Sequence, residues 1–194
     1  MGAYLICSSI VAQNTQLYKY FFDLSRANIV KFFCKVLNMF EYNCYSLNNF
    51  EIVEQCEKLS KDNNIANGGV LVFDDVVHLS DVLFCATKEN KVVGFVCLKY
   101  YKCFKNSIYI EQIVVNKKFT RLGIGTKLIN LSIEYAKSHS LDAIYANCRK
   151  TNTASQTLFK KCGFIKYKMS KSVYAELEID ESTMNNSYAL RLYI

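Results

Sequence analysis

Proline and tryptophan are missing altogether from the 194 residues, and histidine occurs only twice. Without proline the chain has no proline-rich linker or recognition segment. Beside its many Lys, Asn, Ile and Tyr residues, the two absences read as coding bias rather than function. The nine cysteines form no Cys-x-x-Cys pair and no cluster with the two histidines, so neither a zinc site nor a dithiol redox motif has its ligand set. Their odd number and their places in apolar patterns, as at Cys85, Cys97 and Cys148, fit core residues in a reducing compartment. The expected localisation is therefore cytoplasmic, with no bound metal.

Long apolar runs are also lacking. Residues 3–12 are apolar but too short to span a bilayer and carry no basic n-region, and Ile6 stands where a myristoylation motif needs Ser or Thr. No integral membrane span is expected. The formal net charge of +7 is scattered, and no helix pattern presents a continuous basic stripe with stacking aromatics, so a nucleic-acid partner is not expected. The charge suits a small polyanionic ligand instead. Internal repeats and low-complexity stretches are absent as well.

A hydrophobic content of 51% with 14% aromatics is enough for one domain to bury a full core without disulfides or metals. Residues 1–41 read as an N-terminal extension, with aromatic and basic residues alternating over 18–40 in a pattern a helix could use. Residues 42–194 read as the domain. A strand over 42–47 leads to a helix starting at Asn48 or Asn49, with Ile52, Val53, Cys56 and Leu59 on one side. Residues 62–69, rich in Asn and Gly, predict a loop, and 70–80 are ambiguous. Strands over 82–88 and 92–101 form a hairpin around Glu89-Asn90, and residues 187–193 supply a closing strand.

The most informative stretch is FTRLGIGTKLI at 119–129, which sets two glycines at the mouth of an amphipathic helix directly after an apolar strand. Gly123 and Gly125 have no side chains to hold a ligand away, and the free N–H groups and positive dipole end of the first helical turn can face a pyrophosphate. Ile124, Leu128, Leu131 and Tyr135 recur at helical spacing and give the helix a buried face. The Rossmann fingerprint needs a third glycine where Leu128 stands, and the P-loop needs Gly-Lys-Ser/Thr where the chain has Gly-Thr-Lys.

What the loop does match is the pantetheine-pyrophosphate loop of the GNAT N-acetyltransferases, and residues 42–194 resemble that family. SIYIEQIVV at 107–115 is similar to its fourth strand, residues 143–148 to its fifth, and Asn152 with TASQTLFKKCGF to its next helix. Thr120 stands where the family usually has Gln or Arg, and Phe159 where it often has a catalytic Tyr. The resemblance implies an α+β GNAT fold, a mixed, mostly antiparallel, twisted sheet of about six to seven strands flanked by helices. It implies acetyl-CoA as co-substrate, held by Ile113, Val114 and Val115 on strand four, by Arg121, Leu122, Gly123, Ile124, Gly125 and Thr126 in the loop, and by Asn152 and Phe159.

Acetyl transfer to an amine needs a neutral nucleophile, a polarised thioester carbonyl and a departing thiolate. A thiol with a pKa of about 8.5 leaves tolerably without a dedicated acid, so Phe159 does not exclude catalysis. Glu111 on strand four is the candidate base, Asn147 on strand five a candidate hydrogen-bonding residue, and Tyr109 a candidate proton donor with Tyr145 behind it. His78 and His139 take no role. The IEQIVV run with Cys148 and Asn152 is similar to glucosamine-6-phosphate N-acetyltransferases, in which a strand-four Glu faces the amino sugar. Glu111 and the net charge favour that acceptor, and with it an amino-sugar pathway and a homodimer contributing phosphate-binding cations. RLGIGTKLIN, Tyr109, RKTN at 149–152 and YALRL resemble protein N-terminal acetyltransferases, which makes a protein N-terminus the alternative acceptor. A domain that binds acyl-CoA without turnover is the third reading.

Overall fold

The computed structural model describes residues 40–66 and 76–194. The readings of 1–39 and of 67–75 lie outside the described residues. Seven strands form one mixed sheet in the order β1-β2-β3-β4-β5-β7-β6. They are β1 (Glu41–Tyr45), β2 (Val82–Lys88), β3 (Lys91–Lys99), β4 (Ser107–Val115), β5 (Ala143–Arg149), β6 (Ile165–Lys166) and β7 (Ser187–Tyr193). Only β4 and β5 run parallel, since a helix crosses over between them; all other neighbours are antiparallel.

β2 and β3 are joined at Glu89-Asn90, both with positive φ (51° and 62°), the two-residue turn whose twist matches that of paired strands. Helix α1 (Phe50–Ala66) starts at Asn49, whose Oδ1 accepts from the N–H of Ile52 at 3.3 Å. It continues through 62–66, where the Asn-rich sequence predicts a loop. The preceding turns bury Ile52, Val53, Cys56 and Leu59 against Leu83, Cys85, Phe95 and Cys97, and that packing outweighs the weak propensity of the last turn.

Helix α2 (Ile124–Ser138) lies against β2, β3 and β4. Its buried stripe is Ile124, Leu128, Ile129, Ser132 and Ala136, rotated from the predicted one so that Leu131 and Tyr135 are only half-buried. Gly94 on β3 sets how closely the helix sits: a Cβ there would lie 3.0 Å from Ile124 Cγ2 and 3.1 Å from the Val114 carbonyl, so the missing side chain lets the helix settle into the sheet.

Helix α3 (Thr153–Lys161) follows β5, and two short helices, α4 (Lys171–Glu176) and α5 (Glu181–Asn185), precede β7. Ser170 and Asp180 cap these last two by accepting from the N–H of Val173 and Thr183, at 3.4 and 2.8 Å. Met169, Tyr174 and Leu177 then bury themselves with Phe104, Tyr109 and Ala189 in a second cluster over β4, β5 and β7.

Candidate active site between β4 and β5

β4 and β5 pair only from Ser107↔Ala143 to Ile110↔Ala146. Beyond that point β4 follows β3 and β5 follows β7, so the two strands part. The register explains why. Cys97 faces Gln112 while its neighbour Leu98 faces Ile110, leaving Glu111 as the extra residue of a β-bulge. A bulge bends its strand and re-aims a side chain. Gln112 reaches Ser60 of α1 through Nε2 at 2.7 Å, while Glu111 accepts a hydrogen bond from the phenol of Tyr101 on the same side of the sheet.

The gap opens into a cavity of about 310 Å³. Its walls are Tyr109 to Val114 of β4, Asn147 to Arg149 of β5, Asn152, Ser155 and Phe159 from α3 and its cap, and Leu177, Glu178, Ile179 and Thr183 from the α4–α5 segment. Glu111, Asn147, Tyr109, Ile113, Val114, Asn152 and Phe159 are therefore brought together. Val115 and the residues from Arg121 to Thr126 do not line the cavity; they continue from the end of β4 into the N-terminus of α2.

Burial pushes the Glu111 carboxyl above the usual carboxylate range, against the opposing effects of the Tyr101 hydrogen bond and the Lys99 ammonium. Such a group holds a proton more readily than a free carboxylate, which suits a base. Tyr109 is 5% exposed, and burial with the nearby Glu111 charge drives its phenol well above its ordinary range. It faces Tyr145 across the strands, and Phe104 stacks on both rings, with centroids at 5.7 and 4.1 Å. Tyr109 thus stays protonated near neutrality and keeps an O–H to donate. Cys148 also lines the cavity, but burial lifts its thiol to about 11, so it remains protonated near neutrality and is a poor nucleophile.

Asn147 differs from every other polar side chain in the cavity: both Oδ1 and Nδ2 are buried and neither has a partner. Orphaned amide atoms of this kind cost stability and are uncommon in folded proteins. Asn152, by contrast, spends its Oδ1 on the N–H of Ser155 at 3.0 Å, capping α3. Phe159 is 3% exposed and packs edge-on against Phe164 at 5.0 Å.

The two glycines of the loop have different structural reasons. Gly123 caps α2 at φ +83°, a left-handed conformation that disfavours any side chain, and a Cβ there would meet nothing within 4 Å. At Gly125 a Cβ would come 3.0 Å from Leu158 Cδ2, so α3 approaches α2 closely here. The first amide to bond within the helix is that of Lys127, to the Gly123 carbonyl at 3.0 Å. Those of Ile124, Gly125 and Thr126 precede it and face outward from the helix N-terminus. Thr120 turns its hydroxyl to the Lys117 carbonyl at 3.0 Å, while Arg121 and Lys127 are exposed.

Sequence reasoning does not single out Tyr101 or Glu178. Tyr101 comes from the connection between β3 and β4, and Glu178 from a turn whose capping signals, Ser170 and Asp180, are visible in the sequence although their destination is not. Among the described residues no group of three His, Cys, Asp or Glu side chains could hold a metal ion, and no helix is long and apolar enough to cross a membrane.

The model of the acetyltransferase (GNAT) family matches residues 47–164, and the chain belongs to that family of N-acetyltransferases. It is 29% identical over 116 residues to an N-alpha-acetyltransferase of Sulfolobus acidocaldarius, covering 53% of this chain and 69% of that one. It is 28% identical over 116 residues to an N-alpha-acetyltransferase of Sulfurisphaera tokodaii, covering 53% and 70%. The crystal structure of Ard1 from Thermoplasma volcanium superposes with a TM-score of 0.59 over 80% of this chain and 98% of that one, at 15% identity, which shows the same α+β fold.

Proposed function

We propose that the chain transfers the acetyl group of acetyl-CoA to the α-amine of a polypeptide N-terminus. The observation that supports this acceptor over glucosamine 6-phosphate is the charge of the cavity. Among the described residues, its ionisable walls include two carboxylates, Glu111 and Glu178, against the single guanidinium of Arg149. A sugar phosphate would need a cationic pocket, whereas an ammonium group is attracted by this one. The curated relatives named above, all N-alpha-acetyltransferases, point the same way.

Acetyl-CoA supplies the activated thioester. Its pyrophosphate suits the outward amides of Ile124, Gly125 and Thr126, with Arg121 and Lys127 within the same loop and first turn. Among the described residues, the β4 backbone beyond Ile110 has no strand partner on its β5 side, leaving polar groups there for the pantetheine arm. Glu111, held by Tyr101, takes the proton from the incoming ammonium directly or through water, leaving the neutral amine to attack the carbonyl. Asn147 offers an amide that can donate to the carbonyl oxygen as charge develops on it. Tyr109 is the buried proton donor within the same cavity.

An α-amino group with a pKa of about 7.7–8.0 loses its proton far more readily than a lysine near 10.4, so this single carboxylate suffices for an N-terminus. The test is thiol release from acetyl-CoA with peptides of one sequence whose α-amine is free or blocked, the product mapped by mass spectrometry. Acetyl found on the free α-amine alone supports the proposal; modification of lysine side chains in the blocked peptide opposes it.

A further inference from the structure

Helix α4 ends in a complete left-handed cap, and the residue at its centre is not the one that backbone physics prefers. The N–H of Ile179 bonds to the Tyr174 carbonyl at 3.0 Å, and that of Glu178 to the Ala175 carbonyl at 3.1 Å. This paired pattern, with Ile179 and Tyr174 in one apolar cluster, places Glu178 where glycine or asparagine is the usual occupant. Its φ is +55°. A side chain with a Cβ is strained there by about 1 kcal/mol.

Glu178 gains no ion pair or hydrogen bond from its side chain that would offset this strain. Its carboxylate is exposed, yet it lines the cavity that holds Glu111 and the orphaned amide of Asn147. Tyr101 senses both carboxylates, since its phenol is held protonated first by burial and then by Glu111 and Glu178. Among the described residues, the charged groups facing this rim are Glu111 with its neighbour Lys99, and Arg149 on the β5 side.

The geometry points to Glu178 as a specificity residue that selects peptide acceptors by the charge next to their N-terminus, favouring a basic side chain at the second position and rejecting an acidic one. This rests on the proposed α-amine acceptor and names its preferred class. Glu111 must remain available to the reacting ammonium, so a second carboxylate fixed at the rim by a rigid cap is placed to read a neighbouring side chain. The arrangement is a strained backbone kept in place by its surroundings at a site where the side chain has a use.

The experiment compares acetylation of three peptides alike except for Lys, Ala or Glu at the second position, by the full chain and by Glu178→Gln and Glu178→Gly. The wild type is expected to favour Lys over Glu by about tenfold, mainly through KM, as a partly solvated ion pair allows. Both variants should bring that ratio close to unity, and Glu178→Gly should also raise the melting temperature because glycine relieves the positive φ. An unchanged ratio in both variants, with the Ala peptide still acetylated by the wild type, overturns the role of Glu178 alone. No acetylation of any of the three by the wild type overturns the α-amine reading and this inference with it.

Discussion

The phenol of Tyr101 donates to Oε1 of Glu111, and so holds the bulged carboxylate of β4 toward the cavity between the parted strands. That bond also opposes the rise that burial imposes on the Glu111 pKa. The acid limb of kcat/KM should therefore lie above the ordinary carboxylate value of about 4.3, with activity lost as Glu111 is protonated on lowering the pH. Tyr101→Phe removes an effect that lowers the pKa, so the limb should move to higher pH. A pH–rate profile of both proteins checks the direction; a limb that stays in place in Tyr101→Phe contradicts the assignment.

Glu111→Gln should lower kcat by about a hundredfold or more while leaving the fold intact. A carboxyl whose folded pKa is raised contributes stability fully below its unfolded pKa and loses it as pH rises through the folded value. At neutral pH its charge therefore opposes folding, and the neutral amide should melt no lower than the wild type. Calorimetry beside the kinetics separates the two effects.

Removing the Asn147 side chain deletes two buried polar atoms that have no partner in the fold. Asn147→Ala should cost less than about 1 kcal/mol in stability, because the relief of unpaired groups offsets the lost packing. Its kcat should fall about tenfold or more if the amide serves the transition state, as single donors to a developing oxyanion do. Denaturant melts and steady-state rates decide this.

Gly94→Ala should destabilise by about 1–3 kcal/mol, since the new methyl would meet the Val114 carbonyl at 3.1 Å, a backbone atom that cannot turn aside. Gly125→Ala meets only the end of the half-buried Leu158 side chain and should cost less. Gly123→Ala is strained by its φ of +83° rather than by contact and should cost about 1 kcal/mol while raising the KM for acetyl-CoA. Urea melts of the three variants test this ranking.

The sequence makes the strands around the site readable because each has a local signature. SIYIEQIVV and SYALRLY run uninterrupted, Glu89-Asn90 marks a two-residue turn, and Asn152 announces its helix. What the sequence does not disclose depends on pairing. The bulge at Glu111 is defined only by the register of β4 on β3, so alternation along β4 alone cannot show that Glu111 and Gln112 serve one side of the sheet. The close seat of α2 depends on Gly94 of another strand, which receives Ile124 and Leu128. Glu178 reaches the cavity through a cap whose hydrogen bonds lie within α4 but whose position is set by the aromatic cluster of Tyr109, Phe104 and Tyr174. The choice of acceptor also turns on such placement, since net charge counts residues without saying which of them face the cavity.

The measurement that bears most directly on the account is a competition in which the purified chain receives acetyl-CoA with a free N-terminal peptide and glucosamine 6-phosphate together, beside Glu111→Gln. The account predicts acetyl on the peptide α-amine, none on the sugar, and loss of turnover in Glu111→Gln. Acetyl confined to the sugar phosphate, or peptide turnover indifferent to Glu111, would contradict it.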